Sequence, residues 1–333
     1  MNAVASKGSG AHLVRMGHQT HALRRASLFG VVTGAIYGAL ARLAVASSPL
    51  GGAFAVMTLG FLVFVPIAMG YLTVRPVPAP SRGFRVVAPW IPCGIVVLSA
   101  WLVGAEGTIC IVMALPLMMI FASVGGIVAA SKTGRTSAAL PMIALLPWAM
   151  MPLEKTRTPA PRLVTTTTSI TIDAPPSAVW PLVVSVDSIR PSERRRALFS
   201  SIGFPNPIAA TLDRPGIGGV RTATFEHGIV FRETIVTWDA ERRIRFTIRP
   251  DSIPATTLDP HVTIGGPYFD VLTGTYELHA LPRGRTELVL ISEHRVSTAF
   301  NPYAGWWADR VMRSIQSNIL DVLRERAERG AVR

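Results

Sequence analysis

Four long apolar runs occupy the first part of the chain, and basic residues lie between them. Each run has about 20 residues, and at about 1.5 Å per residue a helix of that length crosses the roughly 30 Å hydrocarbon core of a bilayer. The pattern predicts an all-α transmembrane bundle over residues 26–137, preceded by a basic N-terminal tail over 1–25. The four predicted spans are 26–46, 53–74, 86–103 and 108–130.

The basic residues favour one orientation of these spans. Arginine and lysine concentrate in 1–25, 75–85 and 131–137, whereas the links 47–52 and 104–107 contain none. Because basic loops stay on the cytoplasmic side, the N-terminus is predicted to lie inside, in a multi-pass protein of the bacterial cytoplasmic (inner) membrane. A cleaved signal peptide is the alternative for the first run, but that run is long for a signal segment and further apolar runs follow it.

A fifth apolar segment decides on which side of the membrane the C-terminal half lies. Residues 138–153 are apolar, but they number only 16 and include three prolines, which remove helical hydrogen-bond donors. Such a segment suits the interface or a re-entrant loop. Residues 138–162 are therefore interpreted as a short apolar segment and linker. Four crossings, which leave the C-terminal half in the cytoplasm, are favoured over five, which export it.

The predicted spans carry few ionisable groups. Arg42 and Glu106 lie near span ends, where long side chains reach the interface. An anchor packed through small residues such as Gly30, Gly34 and Gly38 is the favoured interpretation. A carrier whose helices break at prolines is the alternative.

The pattern changes after the linker, where β-branched residues dominate. Residues 163–329 predict an α+β domain that opens with a strand over 164–173, a short helix entered at Pro175 and Pro176, and a polar helix over 193–196. Short connections between the later strands favour an antiparallel meander. Its predicted strands are 219–226, 229–238, 244–248, 274–281 and 286–296.

A long helix closes the chain. Asn301 and Pro302 give N-cap and first-turn signals, and the helix is predicted from Tyr303 to about Arg329. An apolar residue recurs at every fourth position, and this stripe must pack on the sheet. Glycines permit strong bending of the sheet, so one helix leaves space beneath it and an apolar cavity is expected. The stripe consists of Trp307, Val311, Ile315, Ile319 and Leu323.

Composition agrees with a membrane protein. Of 333 residues, 49% are apolar and only 16% are charged, against roughly 25% in soluble domains. The net charge of +13 comes mainly from basic residues between the apolar runs, which argues against a nucleic-acid partner. Cys93 and Cys110 both lie in apolar stretches, so the C-terminal half has no disulfide or thiolate metal site.

Few residues of the C-terminal half suggest chemistry. Metal-site spacings, a nucleophile elbow and a dinucleotide fingerprint are all lacking, so no metal and no cofactor is predicted. Glu233 shares one face of its strand with Phe231 and Ile235. It is interpreted either as a catalytic base with a raised pKa or, preferably, as the partner of an internal arginine such as Arg221. His227 is the second catalytic candidate, although a single histidine is more commonly structural.

Parts of the C-terminal half resemble a known superfamily. Residues 170–180 read Ile-Thr-Ile-Asp-Ala-Pro-Pro-Ser-Ala-Val-Trp, similar to the opening strand and helix entry of the SRPBCC superfamily, and the closing amphipathic helix is similar too. Stretches such as 202–207 resemble uncharacterised bacterial members. The superfamily includes START lipid-transfer domains, pollen allergens and polyketide cyclase/dehydrase-like proteins. The resemblance covers roughly 163–329 and implies a helix-grip fold, in which an antiparallel sheet wraps around a long C-terminal helix.

The resemblance and the expected cavity together predict a membrane-anchored protein that binds or transfers a lipid-like or polycyclic hydrophobic molecule. An enzyme similar to polyketide cyclases and dehydrases, and a sensor module that controls the membrane domain, are the alternatives. The expected partners are the lipid bilayer and a small hydrophobic ligand, without nucleic acid. The predicted ligand-binding residues are Phe225, Phe231, Ile235, Phe246, Tyr276, Leu278, Leu290, Trp307, Val311 and Ile315.

Overall fold

The chain forms two compact units in the computed structural model. The N-terminal unit comprises residues 1–106 and 110–158, and the C-terminal unit comprises residues 107–109 and 159–333. The residues that the structure describes are 6–46, 58–155, 159–194, 198–254 and 263–331.

The N-terminal unit is built from helices. Three apolar stretches are long enough to cross a membrane, namely His21–Val45, Arg82–Leu102 and Thr108–Ala130, whereas Gly60–Val74 and Ala139–Glu154 are shorter. The helices are α1 (Ser6–Ala46), α2 (Val65–Val74, preceded by a π-helical turn at Gly60–Phe64), α3 (Arg82–Val87), α4 (Trp90–Leu102), α5 (Thr108–Ala130) and α6 (Ala139–Lys155).

These helices agree in part with the predicted spans. The predictions 26–46, 86–103 and 108–130 fall on the three long apolar stretches. The prediction 53–74 begins at residues outside the described part, and its described helical part is shorter than a span. Segment 138–153 forms a helix despite its prolines, and that helix also falls short of the length of a span.

Glycines let α1 approach α2 closely. A Cβ placed on Gly30 would overlap the backbone carbonyl of Thr73, and one on Gly34 would lie 2.6 Å from Thr73 Oγ1. Large apolar side chains of α1 and α4 are exposed, a combination that water disfavours. The predicted packing through small residues is therefore present. The exposed side chains include Leu28, Phe29, Leu40, Leu43, Leu98 and Leu102.

The C-terminal unit contains one curled, seven-stranded antiparallel sheet in the order β1-β7-β6-β5-β4-β3-β2. The predicted antiparallel meander is confirmed, and the first strand closes against the last. Strand β2 was not predicted, and irregular register in the β2/β3, β4/β5 and β6/β7 pairs bends the sheet. The strands are β1 (Arg162–Ile172), β2 (Pro207–Leu212), β3 (Val220–Phe225), β4 (Val230–Asp239), β5 (Arg243–Ser252), β6 (Phe269–Leu281) and β7 (Arg285–Val296).

Two short helices follow β1, and the second differs from the prediction. Helix α7 (Pro176–Val184) starts at the predicted prolines, but the polar helix over 193–196 is wrong where the structure describes it. A 3-10 turn at Pro191–Glu193 ends in an extended Arg194. Arg195 and Arg196 lie outside the described residues, and a single turn, α8 (Leu198–Ser201), follows them.

Glu193 instead joins this segment to the last helix. Its carboxylate accepts hydrogen bonds from Arg326 at 2.9 and 3.0 Å, and Arg329 lies 3.3 Å away. A buried carboxylate is held in place by such charge-assisted bonds, so Glu193 fixes the C-terminal end of that helix.

The last helix, α9 (Asn301–Ala331), packs on β1, β7 and α7. It starts slightly earlier than predicted, since the Ala304 amide donates to the Phe300 carbonyl. The Asn301 side chain does not cap the helix, because its Oδ1 accepts from the Thr298 amide at 2.7 Å. The buried face differs from the predicted stripe, of which Val311 and Leu323 are buried whereas Trp307, Ile315 and Ile319 are half-buried. It adds Met312, Gln316, Leu320, Val322 and Ala327.

Aliphatic side chains fill the interior beneath the second half of α9. Leu320 and Leu323 of the helix are buried in one cluster with Leu278, Leu288 and Ile172 of the sheet. We call these five residues the closed end. Close-packed aliphatic groups of this kind stabilise a fold through burial of apolar area. The expected apolar hollow is therefore filled by side chains at this end.

Candidate functional site

Beneath the first half of α9, the inner face of the sheet carries polar residues. Thr166 and Thr168 of β1 lie on that face, and Ser292 and His294 of β7 lie beside them in the ladder. Because side chains alternate along a strand, these positions continue the face that carries Ile172 and Leu288 at the closed end. We call Thr166, Ser292, His294, Asp309 and Gln316 the polar end.

Gln316 of α9 binds the sheet through both ends of its amide. Its Nε2 donates to the Thr166 carbonyl at 3.1 Å and to Ser292 Oγ at 2.9 Å, while its Oε1 accepts from Thr168 Oγ1 at 2.7 Å. Gln316 is almost completely buried. Its hydrogen bonds therefore hold helix and sheet together at a buried position, where an unpaired amide would destabilise the fold.

Asp309 lies about two turns of the helix further toward its start. Its Oδ1 accepts from Thr166 Oγ1 and its Oδ2 from Arg313 Nε, both at 2.9 Å. Burial raises the pKa of the Asp309 carboxyl, but the hydrogen bonds from Arg313 and Thr166 outweigh that effect and hold the pKa below its ordinary value. Asp309 is thus a negative charge at neutral pH beside the polar end.

His294 is fully buried at the polar end. Neither of its ring nitrogens has a hydrogen-bond partner within the described part of the chain. The Phe269 ring lies against it, with centroids 5.7 Å apart. Burial lowers the pKa of the imidazole to about 4, and the charge of Asp309 opposes this shift. The ring is therefore neutral at pH 7, with one donor and one acceptor nitrogen.

Arg221 and Glu233 form a buried ion pair on neighbouring strands, with Arg221 Nη1 2.5 Å from Glu233 Oε2. Of the two interpretations of Glu233, the internal ion pair is the one formed. Burial raises the pKa of the Glu233 carboxyl, and the charge of Arg221 opposes this rise. The guanidinium also lies over the rings of Phe246 and Tyr276, 5.4 and 5.8 Å from their centroids.

Gly274 makes room for this arrangement. It pairs with Phe246 on one side and Ser292 on the other, and a Cβ on Gly274 would lie 2.5 Å from the Phe246 ring. The Phe246 ring therefore occupies the space that a side chain at position 274 would need. A side chain at this position would force the Phe246 ring to move.

The predicted ligand-binding residues lie in several places. Ile235, Phe246, Tyr276, Leu278 and Leu290 belong to the cluster that contains the closed end. Phe225 and Phe231 contact each other in a second cluster with Ala210, Ala223 and Ile229. On α9, Val311 is buried, while Trp307 and Ile315 are half-buried.

Ile315 borders a small cavity on another side of the helix. The cavity has a volume of about 10 Å³, about that of one water-sized sphere. Phe199, Phe204 and Asn318 also line it. It is too small for an organic ligand.

His227 lies apart from the other catalytic candidate. It occupies an exposed turn between β3 and β4 with a φ of 62°. Glu233 is the fourth residue of β4, whereas His227 lies in the turn before that strand. The structure therefore does not bring His227 and Glu233 together. Within the described residues, no three His, Cys, Asp or Glu side chains could hold a metal ion together.

The sequence alone did not group the residues of the polar end. The available signal was the two-residue alternation, which places the threonines of β1 and the pair Ser292 and His294 of β7 on the face that the helix covers. Strand pairing across the whole domain was needed to see that these residues meet.

Comparison with known proteins gives a limited result. No family model matches the chain, and neither does any curated protein. Similar solved structures include Zhui aromatase/cyclase from Streptomyces sp. R1128, which is 17% identical over 52% of this chain and 97% of its own, with a TM-score of 0.33. An uncharacterised protein from Bacillus thuringiensis is 16% identical over 49% of this chain and 97% of its own, with a TM-score of 0.32. Scores this low assign no residue role.

Proposed function

We propose that the protein is a membrane-anchored binding protein whose C-terminal unit takes up a small, largely apolar molecule beneath the first half of α9. The observation that carries this proposal is a set of buried polar atoms without partners among the residues that the structure describes. They include both nitrogens of His294, Nε1 of Trp307 and Nε of Arg221.

Such atoms are unfavourable in a folded protein. A buried donor or acceptor without a partner destabilises the folded state by about 1–3 kcal/mol, and native proteins contain few of them. A bound molecule that supplies the missing partners would remove this cost. Phe269 beside His294 and Phe246 beside Arg221 offer the apolar surface that such a molecule also needs.

The N-terminal unit supports the membrane part of the proposal. Its three long apolar stretches and its exposed leucines and phenylalanine suit a lipid environment. An anchor would keep the binding unit at the bilayer, where apolar ligands accumulate. The basic residues between spans favour a cytoplasmic location for the binding unit. The resemblance to the SRPBCC superfamily supports the same kind of ligand.

The experiment is extraction of the full chain, purified in detergent micelles, followed by mass spectrometry of the released small molecules. We expect an apolar compound that is enriched over a control membrane protein prepared from the same cells. The control separates bound ligand from co-purified bulk lipid. Recovery of bulk lipid alone, together with no affinity for added apolar probes, would overturn the proposal.

A second candidate function is catalysis by Glu233. The observation in its favour is a carboxyl whose pKa is raised by burial, as a general base requires. To test it, the extracted small-molecule fraction is incubated with the wild type and with the double variant Arg221→Met/Glu233→Gln, which leaves no unpaired charge. Products that form with the wild type alone support an enzyme, whereas products that form with both exclude Glu233 as the base.

A further inference from the structure

His294 is a buried side chain with two strong hydrogen-bonding atoms that the fold leaves unused. Its neighbours in the ladder are Val164 of β1 and Val271 of β6, both apolar. The amide of Gln316, by contrast, has partners in Thr166 and Ser292. The imidazole therefore contributes no hydrogen bond to the fold among the described residues.

The charges around His294 are unequal. Asp309 of α9 acts on it electrostatically, and the carboxylate is ionised at neutral pH. Glu293 and Arg295, its sequence neighbours, lie on the opposite face of β7, where Glu293 binds Arg245 and Thr273. On the sheet side, the neighbours that the structure places beside the ring are Val164, Val271 and Phe269, which are all apolar. The surroundings of His294 therefore disfavour a second negative charge.

We propose that His294 is the polar recognition group of the ligand site, and that the ligand it takes carries an uncharged hydroxyl or phenol group on an apolar body. This inference rests on the proposed binding function and names its ligand class. A hydroxyl group can donate to one ring nitrogen or accept from the other. A carboxylate would meet the field of Asp309 after losing its water, and a hydrocarbon would leave the nitrogens unpaired.

Three probes that share one ring system test this inference. They are 2-naphthol, naphthalene and 2-naphthoate, and each is equilibrated by dialysis with the full chain in detergent micelles, with uptake by protein-free micelles subtracted. We expect 2-naphthol to bind most tightly and 2-naphthoate most weakly. The variant His294→Phe keeps a ring but removes the nitrogens, and we expect it to weaken 2-naphthol binding about fivefold to tenfold, the effect of one hydrogen bond.

Naphthalene binding by His294→Phe should stay within about twofold of wild type, because that probe makes no hydrogen bond. The matched control is His279→Phe on β6, whose side chain is 54% exposed, and it should leave all three affinities unchanged. His294→Gln, which retains a donor and an acceptor, should recover part of the 2-naphthol affinity. The melting temperature of His294→Phe should not fall, since no protein hydrogen bond is lost.

The outcomes separate the two proposals. Specific binding of the probes that does not depend on His294, or a preference for 2-naphthoate, would overturn the role of His294 and leave the binding function standing. If no probe binds above the micelle background, the proposed function itself fails. If His294→Phe melts lower than wild type, the test uses His294→Gln instead. Its affinities for 2-naphthol and for naphthalene are each compared with those of wild type, and an equal loss of affinity for both probes would contradict the inference.

Discussion

The two ends of the interior beneath α9 are built on different principles. At the closed end, Leu320 and Leu323 pack in one apolar cluster with Leu278 and Leu288. At the polar end, the same helix and the same strands place hydrogen-bonding groups inside, and His294 remains unpaired within the described structure. Apolar burial stabilises the closed end. The polar end, in contrast, retains a buried unpaired side chain that lowers the stability of the fold. This difference supports our proposal that the closed end serves stability and the polar end serves ligand recognition.

The largest effect should come from removing the counter-charge of the buried Arg221. Glu233→Gln leaves Arg221 buried without a counter-charge, and we expect the free energy of unfolding to fall by about 4 kcal/mol. Hydrogen exchange of β7 peptides, followed by mass spectrometry, reports the opening energy of this unit alone. The double variant Arg221→Met/Glu233→Leu should recover most of the loss. If both variants lose the same amount, the ion pair is not what holds this region.

Truncation at the closed end should have the next largest effect. Leu288→Ala removes a fully buried side chain, and we expect a loss of about 3 kcal/mol from lost burial and the cavity left behind. The exposed Leu163 provides the control, and Leu163→Ala should change stability by less than about 0.5 kcal/mol. The same exchange measurement applies. A small loss at Leu288 would mean that the closed end is not packed as described.

The hydrogen bonds of the polar end should contribute less. Gln316→Leu keeps the size of the side chain but leaves Ser292 and Thr168 without their partner, and we expect a loss of about 2 kcal/mol. Thr165→Ala, on the exposed face of β1, is the control. An unchanged or increased stability of Gln316→Leu would show that this network contributes nothing to the fold.

The smallest effect concerns the acid sensitivity of the ion pair between Glu193 and Arg326. Hydrogen bonds from Arg326 lower the pKa of Glu193 from 4.5 to about 2, with burial opposing the shift. The folded form thus has the lower pKa, so this stabilisation is complete above about pH 4.5 and disappears as the pH falls toward 2. Arg326→Gln should flatten the decrease in melting temperature over that window, measured by near-UV circular dichroism. An equal decrease in both proteins would argue against Glu193 as its source.

Much of the fold followed from local pattern, and the errors have physical causes. Alternation and turn residues located β1 and β3 to β7, because each carries a buried and an exposed face. The short strand β2 was not predicted, because it begins at Pro207 among loop residues. The predicted polar helix failed because the chain is extended at Arg194 after a single 3-10 turn, and Glu193 bonds to a helix far away in sequence.

The site was harder to predict than the fold. The pairing of Glu233 with Arg221 could be anticipated, since a charge on an apolar face needs a partner. The grouping of His294 with Asp309 and Gln316 could not, because it depends on the register of β1 on β7 and on the rotation of α9. Alternation states which face a residue lies on, but long-range pairing decides which residues meet there.

The pairing of β1 with β7 also dictates when the C-terminal unit can form during synthesis. Arg162 opposes Val296, so the first strand has no neighbour until the last strand has left the ribosome. Helix α9, which covers both, follows later still. The apolar helices thus emerge, and can enter a bilayer, well before their companion unit folds. That long delay exposes unpaired strand edges, and nascent chains stalled before Val296 should be protease-sensitive throughout this half.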